Sequence, residues 1–252
     1  MIKPKKIVAI GGGEIGRAGY SVETFEIDQE IIRLTGKKHP MLLFLPTASG
    51  DSEGYVQDIS RHFGEELGCK VETLYLIKEK PSLDVIRNKI LGADIIYVGG
   101  GNTLRMMKLW RKIGVDKLLL EAYDKGVLMS GVSAGAICWF RFGNSDSRRT
   151  KNPAAPLIKV RGLDIFSFLY CPHYNKETDR RAELKKMMQK TSGVAIAVDN
   201  CCALEIIDDQ YRIVASRDEA NAYQVYWSRG KFIEQKIPKS QNFKSLNNLW
   251  KK

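Results

Sequence analysis

The sequence predicts an α/β protein with a mainly parallel sheet, helices on both of its faces, and antiparallel strands added near the carboxyl end. Three observations carry this reading. Short apolar stretches alternate with amphipathic helical ones, glycine-rich turns close two of the apolar stretches, and 252 residues, 44% of them hydrophobic, suffice for one large core. The organisation expected is one domain over residues 1–230, followed by a basic tail over 231–252 that is solvated or loosely packed.

Residues 5–10 read as a buried strand that runs into Gly11-Gly12-Gly13-Glu14-Ile15-Gly16, a formal match to the dinucleotide fingerprint. That fingerprint needs a helix opening on its last glycine and an acid ending the second strand. Here the helix waits until 21–34, with Ser21 as its cap, and the second strand, 41–45, ends in Pro46-Thr47-Ala48-Ser49-Gly50 without an acid. A helix over 51–67, a strand at 71–76, a helix at 82–90 and a strand at 94–98 follow. That strand ends in Gly99-Gly100-Gly101-Asn102-Thr103 before a helix at 104–113, so that backbone N–H groups face whatever lies beyond the strand end. After a helix at 116–123 the chain reaches its organising stretch, 127–140.

There an apolar run meets Gly131-Val132-Ser133-Ala134-Gly135 and turns apolar again. A serine with glycine two residues to either side suits a strained strand-to-helix elbow, which pushes the hydroxyl out at a strand end and aims the next N–H, that of Ala134, at a developing oxyanion. The strand ending at Gly99 is one crossover unit from the strand ending at Ser133, so the two lie side by side and the glycine turn completes an oxyanion hole. A base and an orienting acid are then needed. His173, in Tyr170-Cys171-Pro172-His173-Tyr174-Asn175, follows the elbow, and Asp146 lies between them, giving the order Ser, Asp, His. The last third reads as a helix at 176–190 and strands at 194–198, 204–207, 211–215 and 222–227 that extend the sheet. Asp208-Asp209 falls at a hairpin turn, and Asp199 and Glu205 are candidate contacts for a substrate amine.

Composition narrows the function classes. The amino terminus lacks a signal-peptide pattern and no run approaches a membrane span, which points to a soluble cytoplasmic protein without a membrane partner. Five cysteines with no Cys-x-x-Cys spacing and three scattered histidines argue for free thiols and no metal. A formal charge of +11 is spread along the chain and matches no nucleic-acid-binding motif, so a nucleic-acid partner is not expected.

With the glycine turn, the elbow and the Pro172-His173-Tyr174 loop in hand, the chain resembles the peptidase E and cyanophycinase family of serine peptidases from the first strand to about residue 207. The resemblance implies a three-layer α/β/α fold similar to class I glutamine amidotransferases, catalysis by Ser133 and His173, an oxyanion hole from Gly101 and Ala134, and no cofactor. It places the triad acid at Asp146, slightly closer to the serine than relatives have it. The expected substrate is an aspartyl dipeptide or a β-aspartyl bond. Gly100, Asn102, Thr103, Asp199 and Glu205 would contact it in a small pocket bounded by 46–50, 99–103 and the His173 loop. Two other readings stand beside this one: a nucleotide-binding module that cradles phosphates on 11–16 and 99–103, and a catalytically silent relative that acts as a binding protein. A homodimer is compatible with the sequence.

Overall fold

The computed structural model describes residues 3–177 and 179–250. Strands and helices alternate through the first half: β1 (Lys6–Ile10), α1 (Phe25–Arg33), β2 (Met41–Leu45), α2 (Glu53–Ile59), β3 (Lys70–Thr73), α3 (Leu83–Gly92), β4 (Ile95–Val98), α4 (Thr103–Ile113), α5 (Val115–Asp124), β5 (Leu128–Val132) and the single turn α6 (Ala134–Ile137). The second half is richer in strands: β6 (Phe140–Ser145), β7 (Ile158–Arg161), β8 (Phe166–Cys171), α7 (Arg180–Gln189), β9 (Ala195–Val198), β10 (Cys202–Ile207), β11 (Gln210–Ala215), β12 (Ala222–Ser228), β13 (Lys231–Ile237) and β14 (Lys244–Ser245).

The first sheet has the order β14-β11-β10-β1-β5-β4-β2-β3. Strands β1 to β5 are mutually parallel, and β10, β11 and β14 add to the β1 edge in antiparallel fashion. The period-2 alternation of each strand divides the core. Val8, Ile10, Leu42 and Phe44 face Ile27, Ile31, Ile59 and Phe63 of the α1 and α2 side. Ile7, Ala9, Leu43 and Leu45 face the opposite layer, with Ile86, Met107, Trp110 and Leu119 of α3 to α5. Helices on both faces of a mainly parallel sheet make the three-layer architecture.

One feature departs from the sequence reading. Strands β9 and β12 do not join the first sheet; with β6, β7, β8 and β13 they form a second one, ordered β13-β12-β9-β8-β6-β7. Its inner face, including Phe168, Tyr170, Ile196 and Val198, shares the core of the first sheet. Its outer face, with Leu169, Cys171, Ala195 and Ala197, is covered by Leu184 and Met188 of α7. Both faces are therefore apolar, and local pattern cannot tell which sheet such a strand joins.

The start of the first helix and the place of Glu205 also differ from expectation. The first helix opens at Phe25 rather than Ser21, and Thr24 at its start turns its hydroxyl to Asp28 Oδ2, 2.7 Å away, instead of capping the helix. Segment 11–16, as the sequence suggests, opens no helix on Gly16; it returns through a bridge between Ile15 and Val22. Glu205 is a core residue. It sits in β10 opposite Arg212, is fully buried, and its Oε2 accepts from Arg212 Nε at 2.8 Å, while Arg212 also reaches Glu30. This ladder position removes it from any substrate.

The tail is not loosely packed among the described residues. β13 pairs with β12 over its whole length, β14 pairs with β11, Leu249 is buried, and the Trp250 ring stacks on Phe168 at 3.8 Å. Its charge is carried on strands that pair with the two sheets, which the count of lysines conceals. Leu249→Ala is accordingly expected to cost about 2–5 kcal/mol in denaturant unfolding, as for a buried leucine. A solvated tail would register no change.

Candidate active site

Strand β5 lies directly beside β4, with Val98 opposite Gly131, so the strand ends carrying 99–101 and Ser133 are adjacent as the crossover rule requires. Ser133 is held at φ 54°, ψ −109°. A non-glycine residue there pays about 1–3 kcal/mol of strain, which the surrounding packing must offset. It does so by close approach: a Cβ on Gly135 would lie 2.0 Å from the Val98 carbonyl oxygen, so α6 starts against β4 only because that residue has none. The Ser133 N–H donates to the Ile10 carbonyl, and its own carbonyl receives the N–H groups of Ala136 and Ile137.

His173 reaches the serine from the second sheet, at the end of β8. Its Nε2 is 2.8 Å from Ser133 Oγ. The loop is fixed by backbone bonds, from His173 N to the Gly11 carbonyl and from Tyr174 N to the Val198 carbonyl. His173 too has a positive φ, 55°. The other ring nitrogen, Nδ1, is 2.7 Å from Asn200 Oδ1. An amide oxygen only accepts, so Nδ1 carries the proton, Nε2 is bare in the neutral ring, and the serine hydroxyl donates to it. Asn200 is in turn tied to the histidine loop, its N–H donating to Asn175 Oδ1 at 2.9 Å.

Asp146, the acid expected from the sequence, does not occupy that place. It lies half-buried after β6 and, among the described residues, makes no side-chain hydrogen bond to His173, acting on the ring only through space. Asn200 is not predictable from sequence in this role, which is expected of an acid. Its structural sign is its neighbour Gly12, where a Cβ would come within 2.2 Å of Asn200 Oδ1 and 2.4 Å of His173 Nδ1. The first glycine cluster thus serves the approach of this pair.

The other expected residues divide. Gly101 (φ 136°) lines the cleft and Ala134 follows Ser133 at the start of α6, and among the described residues neither N–H has a hydrogen-bond acceptor. Gly100 also lines the cleft, its N–H donating to the Tyr55 hydroxyl at 3.3 Å, while burial pushes that phenol up to about 12 and keeps it neutral. Asn102 and Thr103 are used structurally. Asn102 Oδ1 caps α4 through Arg105 N and its Nδ2 donates to the Ser147 carbonyl, while buried Thr103 accepts from Ser145. Asp199 is buried and accepts from Asn221 N at 2.9 Å, outside the lining of the cleft.

That cleft, of about 620 Å3, has Gly100, Gly101, Val132, Ser133 and His173 as its floor. Gly13, Glu14, Ile15 and Arg17 form one wall, and Ser52, Gly54, Tyr55 and Asp58 the other. The expected wall from 46–50 is replaced by these residues, since 47–49 fold into a short helical turn beneath the glycine turn, with the Ala48 carbonyl accepting from Asn102 N. Among the described residues no cluster of His, Cys, Asp or Glu is arranged to hold a metal ion, and no helix is long and apolar enough to cross a membrane.

A serine hydroxyl bonded to a bare imidazole nitrogen, beside two free N–H donors in a cleft of peptide size, is equipped for acyl transfer. The comparisons with known proteins agree with this class. The model of peptidase family S51 matches residues 7–214, and the chain belongs to that family of peptidases. It is 39% identical over 238 residues to the uncharacterized peptidase YgaJ of Bacillus subtilis (strain 168), an alignment that covers 93% of this chain and 97% of that protein. In fold it is similar to a peptidase from an acI-B1 actinobacterium, with a TM-score of 0.72 at 20% identity and 97% and 98% of the two chains covered. It is also similar to a putative peptidase E protein from Listeria monocytogenes EGD-e, with a TM-score of 0.61 at 24% identity and 84% and 98% covered. The fold is the class I glutamine amidotransferase-like one of these peptidases.

Burial and the nearby Arg180 guanidinium hold the His173 imidazolium below its usual range, against the hydrogen bond to Asn200 and the more distant Glu177 and Asp146, which favour the proton. The ring is therefore neutral through neutral pH and gains its second proton only as the pH falls through a depressed pKa. NMR titration of the labelled imidazole is expected to place His173 below 6.5, and Asn200→Ala to lower it further by removing a group that favours the proton. A value raised above 6.5, or one that rises in the variant, would contradict this balance.

Proposed function

We propose that this peptidase is of the serine type and hydrolyses a small acidic substrate, an aspartyl dipeptide or a β-aspartyl bond, through an acyl-enzyme. The observation that carries the reading is the 2.8 Å contact between Ser133 Oγ and His173 Nε2 beside the free N–H groups of Gly101 and Ala134. Ser133 Oγ attacks the scissile carbonyl carbon as its proton passes to His173 Nε2, and the carbonyl oxygen, now an oxyanion, is held by the two N–H groups. Collapse of that intermediate expels the amine, which takes the proton from His173. Water then attacks the acyl ester with His173 as base, and Ser133 recovers its proton.

In this scheme Asn200 is the positioning residue. It fixes the tautomer, as an orienting carboxylate does, but adds no negative charge to stabilise the imidazolium. Asp146 and Glu177 supply that charge from a distance. The restricted cleft favours short substrates over folded proteins.

Since Ser133 and His173 act as a unit, Ser133→Ala and His173→Ala are each expected to lower turnover of the substrate found among Asp-X, β-Asp-X and blocked dipeptides by about 10⁴-fold or more, and the double variant to fall little further. Losses that multiply would indicate separate roles. Asn200→Ala is expected to lose about 10²-fold and Asp146→Asn much less. The reverse ranking would return the orienting role to Asp146.

A further inference from the structure

The chain carries a net charge of +11, yet among the described residues Arg17 is the only Arg or Lys lining the cleft that holds Ser133, where it faces two carboxylates, Glu14 and Asp58. Arg17 is already bound. Its Nε lies 3.0 and 2.9 Å from the two Glu14 oxygens and its Nη2 2.6 Å from Oε2. Glu14 is half-buried, while the Arg17 side chain is 61% exposed. The two partners are thus held unequally. Glu14 Oε1 also accepts the N–H groups of Ile15 and Arg17, and its N–H is taken by Glu23 Oε2, which fix the carboxylate in the wall. The guanidinium hangs from that carboxylate and rests near the exposed Tyr20 ring, 5.0 Å from its centre. Burial works to raise the Glu14 carboxyl, and its hydrogen bonds with Arg17 and the backbone outweigh it, keeping the group ionised.

A half-buried carboxylate with an exposed guanidinium beside it is a charge pair of the same kind as an ammonium and a carboxylate borne on one residue. The guanidinium half is open to solvent, and either half can exchange its partner for the opposite group of a ligand. We propose that Glu14 and Arg17 form the subsite for the acyl residue of the substrate, with Glu14 taking its free ammonium and Arg17 its free carboxylate. This rests on the peptidase reading for the position of the scissile carbonyl over Ser133. The α-amine and side-chain carboxylate of an N-terminal aspartate, and the α-amine and α-carboxylate of a β-aspartyl residue, both present the two charges within a few bonds of each other. Asp199 and Glu205, the acids suggested by sequence for the amine, lie outside the lining of the cleft, whereas Glu14 is part of it, and the other carboxylate there, Asp58, is paired with Arg61.

The test compares Asp-Leu with its neutral isostere Asn-Leu and with acetyl-Asp-Leu. In the unaltered protein Asp-Leu is expected to be preferred in kcat/KM over both. Arg17→Gln should lower the ratio of Asp-Leu to Asn-Leu about tenfold, and Glu14→Gln should lower the ratio of Asp-Leu to the acetylated peptide by a similar factor. Equal losses on both members of either pair, or unchanged ratios, would overturn the assignment while leaving Ser133-dependent hydrolysis, and so the peptidase reading, intact. Calorimetric titration of Ser133→Ala with Asp-Leu separates the two claims from the other side. Binding that weakens about tenfold when Arg17→Gln is added supports the subsite even if the unaltered protein cleaves neither dipeptide. Binding that Arg17→Gln leaves unchanged, or no binding at all, overturns it.

Discussion

The hydrogen bond between Ser133 and His173 is the contact on which the strand-end region depends. Its two residues stand 40 apart in sequence and on different sheets. They meet just beyond the ends of β5 and β8, where both residues adopt a positive φ, which costs each of them conformational energy. What offsets that cost is lack of side chains elsewhere. Gly12, Gly101 and Gly135 let carbonyls, the imidazole and α6 approach to distances that a Cβ would forbid. The glycine clusters are thus three parts of one device, in which bulk is withheld so that reactive groups can touch.

Much of that device was legible in the sequence, and the parts that were not have physical reasons. The elbow at Ser133, the glycine turn beside it and the histidine loop each carry local signatures, since strained turns demand particular residues. The parallel half of the first sheet followed from strand and helix alternation. Asn200 was not legible as a partner of His173, because an amide after a short strand looks like any turn residue until the fold brings it to Nδ1. The second sheet was hidden for a different reason: Ala195–Val198 and Ala222–Ser228 are apolar enough to belong anywhere, and pairing is decided by distant segments. Glu205 and the tail mislead through charge, which reads as exposure until Arg212 and the β12–β13 and β11–β14 ladders are seen.

An amide in the orienting place alters the electrostatics. A carboxylate there would stabilise the imidazolium strongly, whereas Asn200 holds the ring and leaves it buried, so the neutral base is favoured. In the proposed reaction the oxyanion would then depend more on the N–H donors, which do not titrate. The cleft continues the same economy of charge, with Arg17, paired with Glu14, the single guanidinium lining it among the described residues of an otherwise basic protein.

The central claim is that Ser133 is the nucleophile made reactive by His173. The most direct measurement is mass spectrometry of the protein after exposure to a fluorophosphonate, with the modified peptide sequenced. The account predicts a single adduct on Ser133 that is lost in Ser133→Ala and strongly slowed in His173→Ala. An adduct on another residue, or a Ser133 that stays unmodified while the protein hydrolyses peptides, would contradict it.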